Sequence, residues 1–427
     1  MSVQLHLVLG LVFPLLTHAA LGPLTQAFGW KELDFEFPNE SARQNALTSG
    51  YFVPGNSQPI DVQYANDRVF LTMPRWKEGI PATVATVPSS PSECVQGQPC
   101  SPLLRPFPSW EWNSGDKSCE GLTSVFRVNV DKCGRLWILD SGAVSILSNE
   151  RKALCPPQLL SFDLSNDRLI RRYSFPNSVL KGDSLLVTVA LDTVSTAKSC
   201  QNTFAYSADV TTYGLIVTDT KRGNSWRVEN KLFYPYPNWG TFNIAGETFD
   251  LMDGLISLAV HPDLNPATRR LYFHSLASAR ENYVPVSLLH NASQANVRTA
   301  EFIYSRGEKP SQAAASAFDS RGILFFGLLS KNSLACWNPS KAHNPSNIVD
   351  VAQDDESLQF ASGLKVDNED NVWMMISRFS SYFLGSLNPN NVNFRVMVGP
   401  SRQLTRGTAC EEGSRVSGGA YRPIVFN

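Results

Sequence analysis

The sequence predicts an all-β chain closed as a six-bladed β-propeller. Three observations carry this reading. Glycine and proline, 27 of each, interrupt short apolar runs along the whole chain, and no long 3.6-residue periodicity appears between them. A unit of strand, polar turn and returning strand recurs six times. The runs inside those units are almost continuously apolar, as expected of strands covered on both faces by neighbouring blades.

The unit is clearest in "GLTSVFRVNVDKCGRLWILDSG". Loose counterparts are "SQPIDVQYANDRVFLTMPRW", "SLLVTVALDTVSTAKSCQNTFAYSADV", "GLISLAVHPDLNPATRRLYFHSLAS", "AAASAFDSRGILFFGLLS" and "ASGLKVDNEDNVWMMISRF". They centre near residues 67, 133, 200, 266, 321 and 369, and the spacing suits four-stranded blades. Further strands such as "QLLSFDL" and "GLIVTDT" complete the blades. A pair of β-sandwiches would not produce six similar units. One domain is therefore expected over residues 30–400, with "WKELDFEF" joining the last blade to close the ring and remove an exposed edge.

Residues 1–19 read as a secretory signal peptide. An apolar run from Leu7 to Leu16 precedes Ala19 and Ala20 and is too short to span a bilayer. Eight cysteines without a C-x-x-C pair point to disulfides in an oxidising compartment, hence to a secreted protein. Asn39 and Asn291 each begin an N-glycosylation triplet. The net charge of −1 offers no footprint for nucleic acid or an anionic membrane.

Asp131-Lys132-Cys133-Gly134 is read as the turn between the first two strands of a blade, so Cys133 is scaffold and not a nucleophile. Cys119 lies at the opposite end of that strand, roughly 30 Å away, too far to bridge it. Cys200 occupies the equivalent turn of the next blade, which pairs Cys133 with Cys200. Cys155 shares an end with Cys119, which pairs those two. The leftover cysteines give Cys94–Cys100, across a short loop, and Cys336–Cys410, which ties down a C-terminal tail at 401–427.

"VFRVNVDKCGRLWILDSG", "CPPQLLSFDL", "TFAYSADVTTYGLIVTD", "DGLISLAVHP", "WKELDFEFP" and "VFLTMPRWKEGIPATVATVP", taken in order, resemble the Yellow/major royal jelly protein family of insects. The resemblance covers nearly the whole chain after the leader and implies a secreted six-bladed propeller. It leaves activity open, because the family includes pigmentation proteins, dopachrome-converting enzymes, nutritive jelly proteins and salivary binders of biogenic amines.

No H-E-x-x-H, G-x-S-x-G or P-loop is present, so the catalytic residues are not legible. His261 is expected to cap or pack in a turn, His274 to be a satisfied core residue, and His343 to be solvated in a loop. By analogy with other propellers Asp61, Asp250 and Asp367 are the candidates for an axial metal, but no spacing marks them as a set. Neither metal nor cofactor is expected. In the family's amine binders, last-blade strands line the central cavity, and by position Ser362, Ser377 and Phe379 take that role here. Hydroxyls can bond an amine or a phenol, and an aromatic face attracts a ring or a cation. Ser377 stands where the binders have Asn, which removes a carbonyl acceptor.

The leading expectation is a Yellow-type binder of a small aromatic ligand in pigment or cuticle biology, the partner being a catecholamine, an indolamine or a melanin intermediate. A dopachrome-converting tautomerase is the alternative, and a structural or nutritive protein the third. An acid or histidine facing the cavity would favour the enzyme, and an aromatic cage with hydroxyls the binder.

Overall fold

The computed structural model describes residues 22–411, apart from 91–93, 95–99, 116–117, 148–149, 194–199 and 201. The expected signal peptide and the tail beyond 411 lie outside the described residues. The chain forms six four-stranded antiparallel sheets arranged as a six-bladed propeller. Blades 1 to 5 begin at the axis with strands Asp61–Ala65, Val125–Val130, Leu186–Thr193, Leu255–Val260 and Ala313–Phe318. Blade 6 begins with Ala361–Val366, and this strand packs beside both Ala313–Phe318 and Asp61–Ala65, so the ring closes. No helix among the described residues is long and apolar enough to cross a membrane.

The hairpin turns at the far end of the inner strands of blades 2, 5 and 6 share one device. In blade 2, Asp131 Oδ1 accepts the Cys133 and Arg135 backbone N–H groups at 2.9 and 3.1 Å, and Oδ2 accepts Trp137 Nε1–H at 2.8 Å. Asp367 does the same in blade 6 for the Glu369 and Asn371 N–H groups and Trp373 Nε1–H. Asp319 caps the blade 5 turn through Arg321 and Ile323 N–H. Each turn then passes through a left-handed residue: Gly134 at φ 69°, Gly322 at 81° and Asp370 at 62°. Glycine adopts this conformation without strain, and aspartate is among the residues that tolerate it.

Ring closure differs from expectation in position. The fourth strand of blade 6 is Thr25–Trp30, antiparallel to Phe394–Pro400 with Trp30 opposite Phe394. It thus starts upstream of residue 30, and only Trp30 of "WKELDFEF" belongs to it. The rest of that segment runs along the outer edge of blade 1, where Phe35 bridges Leu104 and Leu33 and Phe35 are buried. The alternation of apolar and acidic residues reports a one-sided extended segment, but not which blade receives it.

Cys133–Cys200 joins the turns of blades 2 and 3, with Cα atoms 6.1 Å apart. Cys119–Cys155 lies at the other end of blade 2, at 5.6 Å. Cys336–Cys410 holds the segment after helix Ser401–Thr405 against blade 5, at 6.1 Å, and Cys94–Cys100 closes a short loop at 5.4 Å. Each contributes about 2–4 kcal/mol of stability. Asn39 and Asn291 are both exposed. Asn39 Oδ1 caps helix Glu40–Thr48 by accepting the Ala42 N–H.

His343 corrects the sequence reading: it is buried, not solvated. It packs edge-on against Trp337, and its Nδ1 lies 3.0 Å from the Gly307 carbonyl. His274 is fully buried between Glu281 and the Ala313 carbonyl, as a satisfied core histidine should be. His343 lies near buried Glu281 and Lys309, and Glu281 Oε2 is bonded to both His274 and Lys309.

Burial, reinforced by Lys309, holds His343 neutral by lowering its pKa to about 4. A neutral histidine in the fold that protonates when unfolded contributes stability above pH 6.5, lost as the pH falls from there through 4. The contribution is on the order of 3 kcal/mol at neutral pH. Glu281, held down to about 2 by Lys309 against its own burial, stays ionised across that window. Replacing His343 with Gln should therefore narrow the difference in melting temperature between wild type and variant as pH falls from 7 to 4.5. A constant difference across that range would rule out this role.

Candidate functional site

The inner strand of each blade is a sheet edge, so polar backbone groups face the axis without a strand to pair them. Arg127, third residue of the blade 2 inner strand, fills that space. Its Nη1–H groups donate to Thr188 Oγ1 at 2.6 Å and the Ile256 carbonyl at 3.4 Å. Its Nη2–H groups donate to the Ala314 and Ser362 carbonyls at 3.1 and 2.7 Å. One guanidinium thereby links blades 2 to 6. Blade 1 supplies Asp61, whose Oδ2 accepts the Val128 N–H at 3.1 Å and lies 3.1 Å from Lys365 Nζ of blade 6.

This polar layer separates two depressions. The one beside the hairpin turns is a polar well of about 670 Å³, lined by turn residues including Asn66, Asp131 and Asp367 together with Lys365. The other is an apolar cavity of about 410 Å³ at the end where the chain enters the inner strands. Trp76, Phe126, Phe360 and Phe379 furnish its aromatic wall, and Arg127 is part of its lining. Phe379 packs at 4.7 Å from Phe360 and edge-on to Trp76 at 5.5 Å. It begins helix Phe379–Leu384, whose Phe383 also lines the cavity. Against that helix packs the hairpin of strands Thr241–Ile244 and Glu247–Asp250, with Phe249 at 5.3 Å from Phe383. Glu247 fastens the two by accepting the Ser381 and Ser386 hydroxyls at 2.8 and 2.7 Å.

Asp253 is the carboxylate lining this cavity. It precedes the blade 4 inner strand in "LMDGLIS" and is partly exposed, onto the cavity. Its carboxyl has no hydrogen-bond or ion-pair partner among the described residues, and desolvation alone pushes its pKa up to about 6. An acid in that range exchanges protons readily near neutral pH.

Of the residues chosen from sequence, Phe379 and Ser362 line the cavity and Ser377 does not. The Ser362 hydroxyl donates to the Met375 carbonyl at 3.3 Å. The Ser377 hydroxyl is fully buried without a partner among the described residues, and its carbonyl accepts Gln58 Nε2–H at 2.8 Å. The two serines do not form a joint acceptor pair for a ligand. Asp61 belongs to the axial layer, Asp367 caps a turn, and Asp250 accepts the Thr241 hydroxyl in the exposed hairpin at 2.6 Å. The three aspartates do not converge, and no group of three metal-ligating side chains occurs among the described residues. Sequence reading missed Arg127 and Asp253. The one legible sign was a charged residue in the middle of an apolar inner strand, "VFRVNV".

Comparisons with known proteins agree with this architecture. Residues 123–410 match the family described as "Major royal jelly protein". "Dopaminechrome tautomerase" of Drosophila melanogaster is 34% identical over 395 residues, covering 90% of this chain and 83% of that one. "Protein yellow" of Drosophila subobscura is 34% identical over 391 residues, covering 91% and 67%. Its Drosophila melanogaster counterpart is 33% identical, covering 91% and 71%. Among solved structures, a luciferin-regenerating enzyme aligns over 81% of this chain and 92% of its own at 10% identity and a TM-score of 0.45, too remote to inform the site. The repeated blades, the closed ring and these relatives together establish that the chain belongs to the Yellow/major royal jelly protein family.

Proposed function

We propose that this protein isomerises a small quinonoid indole of the aminochrome type in the apolar axial cavity, as part of pigment or cuticle chemistry outside the cell. The observation that carries the reading is Asp253, an unpartnered carboxyl with its pKa raised to about 6, set in an aromatic cavity. The 34% identity to a dopaminechrome tautomerase and the four disulfides support it.

The chemistry asks little of the protein. Ionised Asp253 takes a proton from the ring carbon beside the quinonoid system. The electron pair of that C–H bond moves through the ring onto a quinone oxygen, which takes up a proton and leaves a quinone methide. Loss of a second proton from the adjoining ring carbon, with protonation of the other quinone oxygen, makes the ring aromatic, so two C–H bonds are exchanged for two O–H bonds and no oxidant or reductant is consumed. General-base assistance of this kind is worth about 10²–10⁴ in rate. Phe379, Phe360 and Trp76 hold the flat ligand and exclude water.

A second reading, binding without turnover, rests on the same aromatic wall. There Asp253 would serve as counter-ion to an aromatic amine stacked against Phe379. Turnover and its pH dependence separate the two.

Purified protein mixed with dopaminechrome should accelerate loss of its visible absorbance beyond the spontaneous rearrangement. As the base must be ionised, kcat/KM should rise with pH below about 6 and level off above it. Asp253→Asn should remove about 10²-fold or more of the rate while leaving the melting temperature near that of wild type. Full activity in Asp253→Asn would exclude the assigned base, and no acceleration by wild type would leave the binding reading.

Phe379→Leu keeps an apolar side chain but removes the stacking face. It should weaken binding of dopamine or dopaminechrome about tenfold, the loss expected for a central aromatic contact, as measured by calorimetry or KM. Unchanged affinity would place the ligand elsewhere.

A further inference from the structure

Positive charge outweighs negative charge on the axis. Arg127 and Lys365 both lie beside Asp61, which favours the charged form of each against burial. Its charge is matched by Lys365 at 3.1 Å. Arg127 has no carboxylate in contact among the described residues: its partners are one hydroxyl and three carbonyls, and its Nε has none. Carbonyl dipoles stabilise the guanidinium without cancelling it. A buried charge left uncompensated is costly, and a counter-charge supplied by a ligand relieves that cost. The space next to Arg127 is the apolar cavity it lines.

Asp253 is the other charged group in that lining, and it sits at a different depth. It lies three positions before Ile256, whose carbonyl accepts from Arg127, and an extended chain covers roughly 10 Å in that distance. The cavity therefore has a cation at its floor and an acid nearer its mouth.

We infer that the floor of the cavity is an oxyanion site, where the field of Arg127 favours the ionised hydroxyl or the electron-rich quinone oxygen of a catechol-type ligand. The inference rests on the cavity being the ligand site and deepens the proposed reaction. Negative charge gathers on the ring oxygen after Asp253 has taken the carbon-bound proton, and Arg127 stabilises it until a proton arrives. Because the Nη donors of Arg127 are engaged by the blades, it acts by charge and not by a new hydrogen bond. An aromatic amine is oriented by the same pair, oxygen toward the floor and ammonium toward Asp253.

The test uses 4-nitrocatechol, whose ionised form absorbs in the visible, titrated in the presence of saturating protein. Asp253 and Arg127 face the probe, with Asp61 and Lys365 behind Arg127. An apolar cavity alone would raise the acidity constant's pKa, so a bound hydroxyl at least about tenfold more acidic than the free one is the expected result. Arg127→Gln should abolish that gain, Arg127→Lys should keep part of it, and Asp253→Asn should keep or increase it. Circular dichroism and melting temperature report whether the Arg127 variants fold, and if neither does, the wild-type and Asp253→Asn titrations decide alone. A bound hydroxyl no more acidic than the free one, or a gain that survives in folded Arg127→Gln, would overturn the proposal, as would failure of the probe to bind. An acidified probe without turnover of dopaminechrome would leave the oxyanion site standing and remove only the isomerase reading.

Discussion

Everything in this molecule is arranged around one guanidinium. A propeller turns the innermost strand of each sheet toward a common axis, and such a strand is an edge with backbone groups that lack a partner. Water cannot satisfy them in a narrow core, and a strand cannot be inserted. Arg127 meets the requirement with one side chain, donating to the Ile256, Ala314 and Ser362 carbonyls and to Thr188 Oγ1. A planar fork of fixed N–H directions suits this task better than an ammonium on a flexible stem. Hydrogen bonds to a charged donor also contribute more than neutral ones, about 1.5–3 kcal/mol each.

The same residue divides the central channel. With Asp61 and Lys365 it forms a polar layer, below which the polar well opens among the hairpin turns, and above which the apolar cavity opens. The two ends differ because the chain treats them differently. At one end, tight turns capped by Asp131, Asp319 and Asp367 hold polar groups in fixed positions. At the other, longer connections bring Trp76, Phe360 and Phe379 together, with the hairpin and short helix clasped over them by Glu247. Scaffold and chemistry are thus separated along one axis, and the disulfide between Cys133 and Cys200 belongs to the scaffold end.

Asp253 draws its proposed role from what surrounds it. Among apolar neighbours and without a donor among the described residues, its carboxylate loses solvation and gains nothing in return, which is why its pKa rises to about 6. Asp209 shows the contrast within the same chain. It is fully buried, yet hydroxyls from Ser184 and Thr212 and the guanidinium of Arg227 outweigh that burial and lower its pKa. One of these carboxyls is structural, and the other is left free to exchange a proton.

Much of the fold was legible before the structure. Blade number, the position of each hairpin turn and the placement of Cys133 in a turn are written in adjacent residues, because strand alternation, turn chemistry and chain reach are local properties. The order of motifs likewise carried the family. What only the tertiary structure decided is which side chains meet at the axis. Asp61, Arg127, Thr188, Ile256, Ala314, Ser362 and Lys365 come from all six blades, and no local pattern records that they converge. For the same reason Ser377 is buried behind the cavity despite its family position, Asp253 faces the cavity without any motif to mark it, and Thr25–Trp30 closes the ring in place of the segment that follows. A strand's periodicity says which of its faces is apolar; its place around the ring decides what that face is packed against.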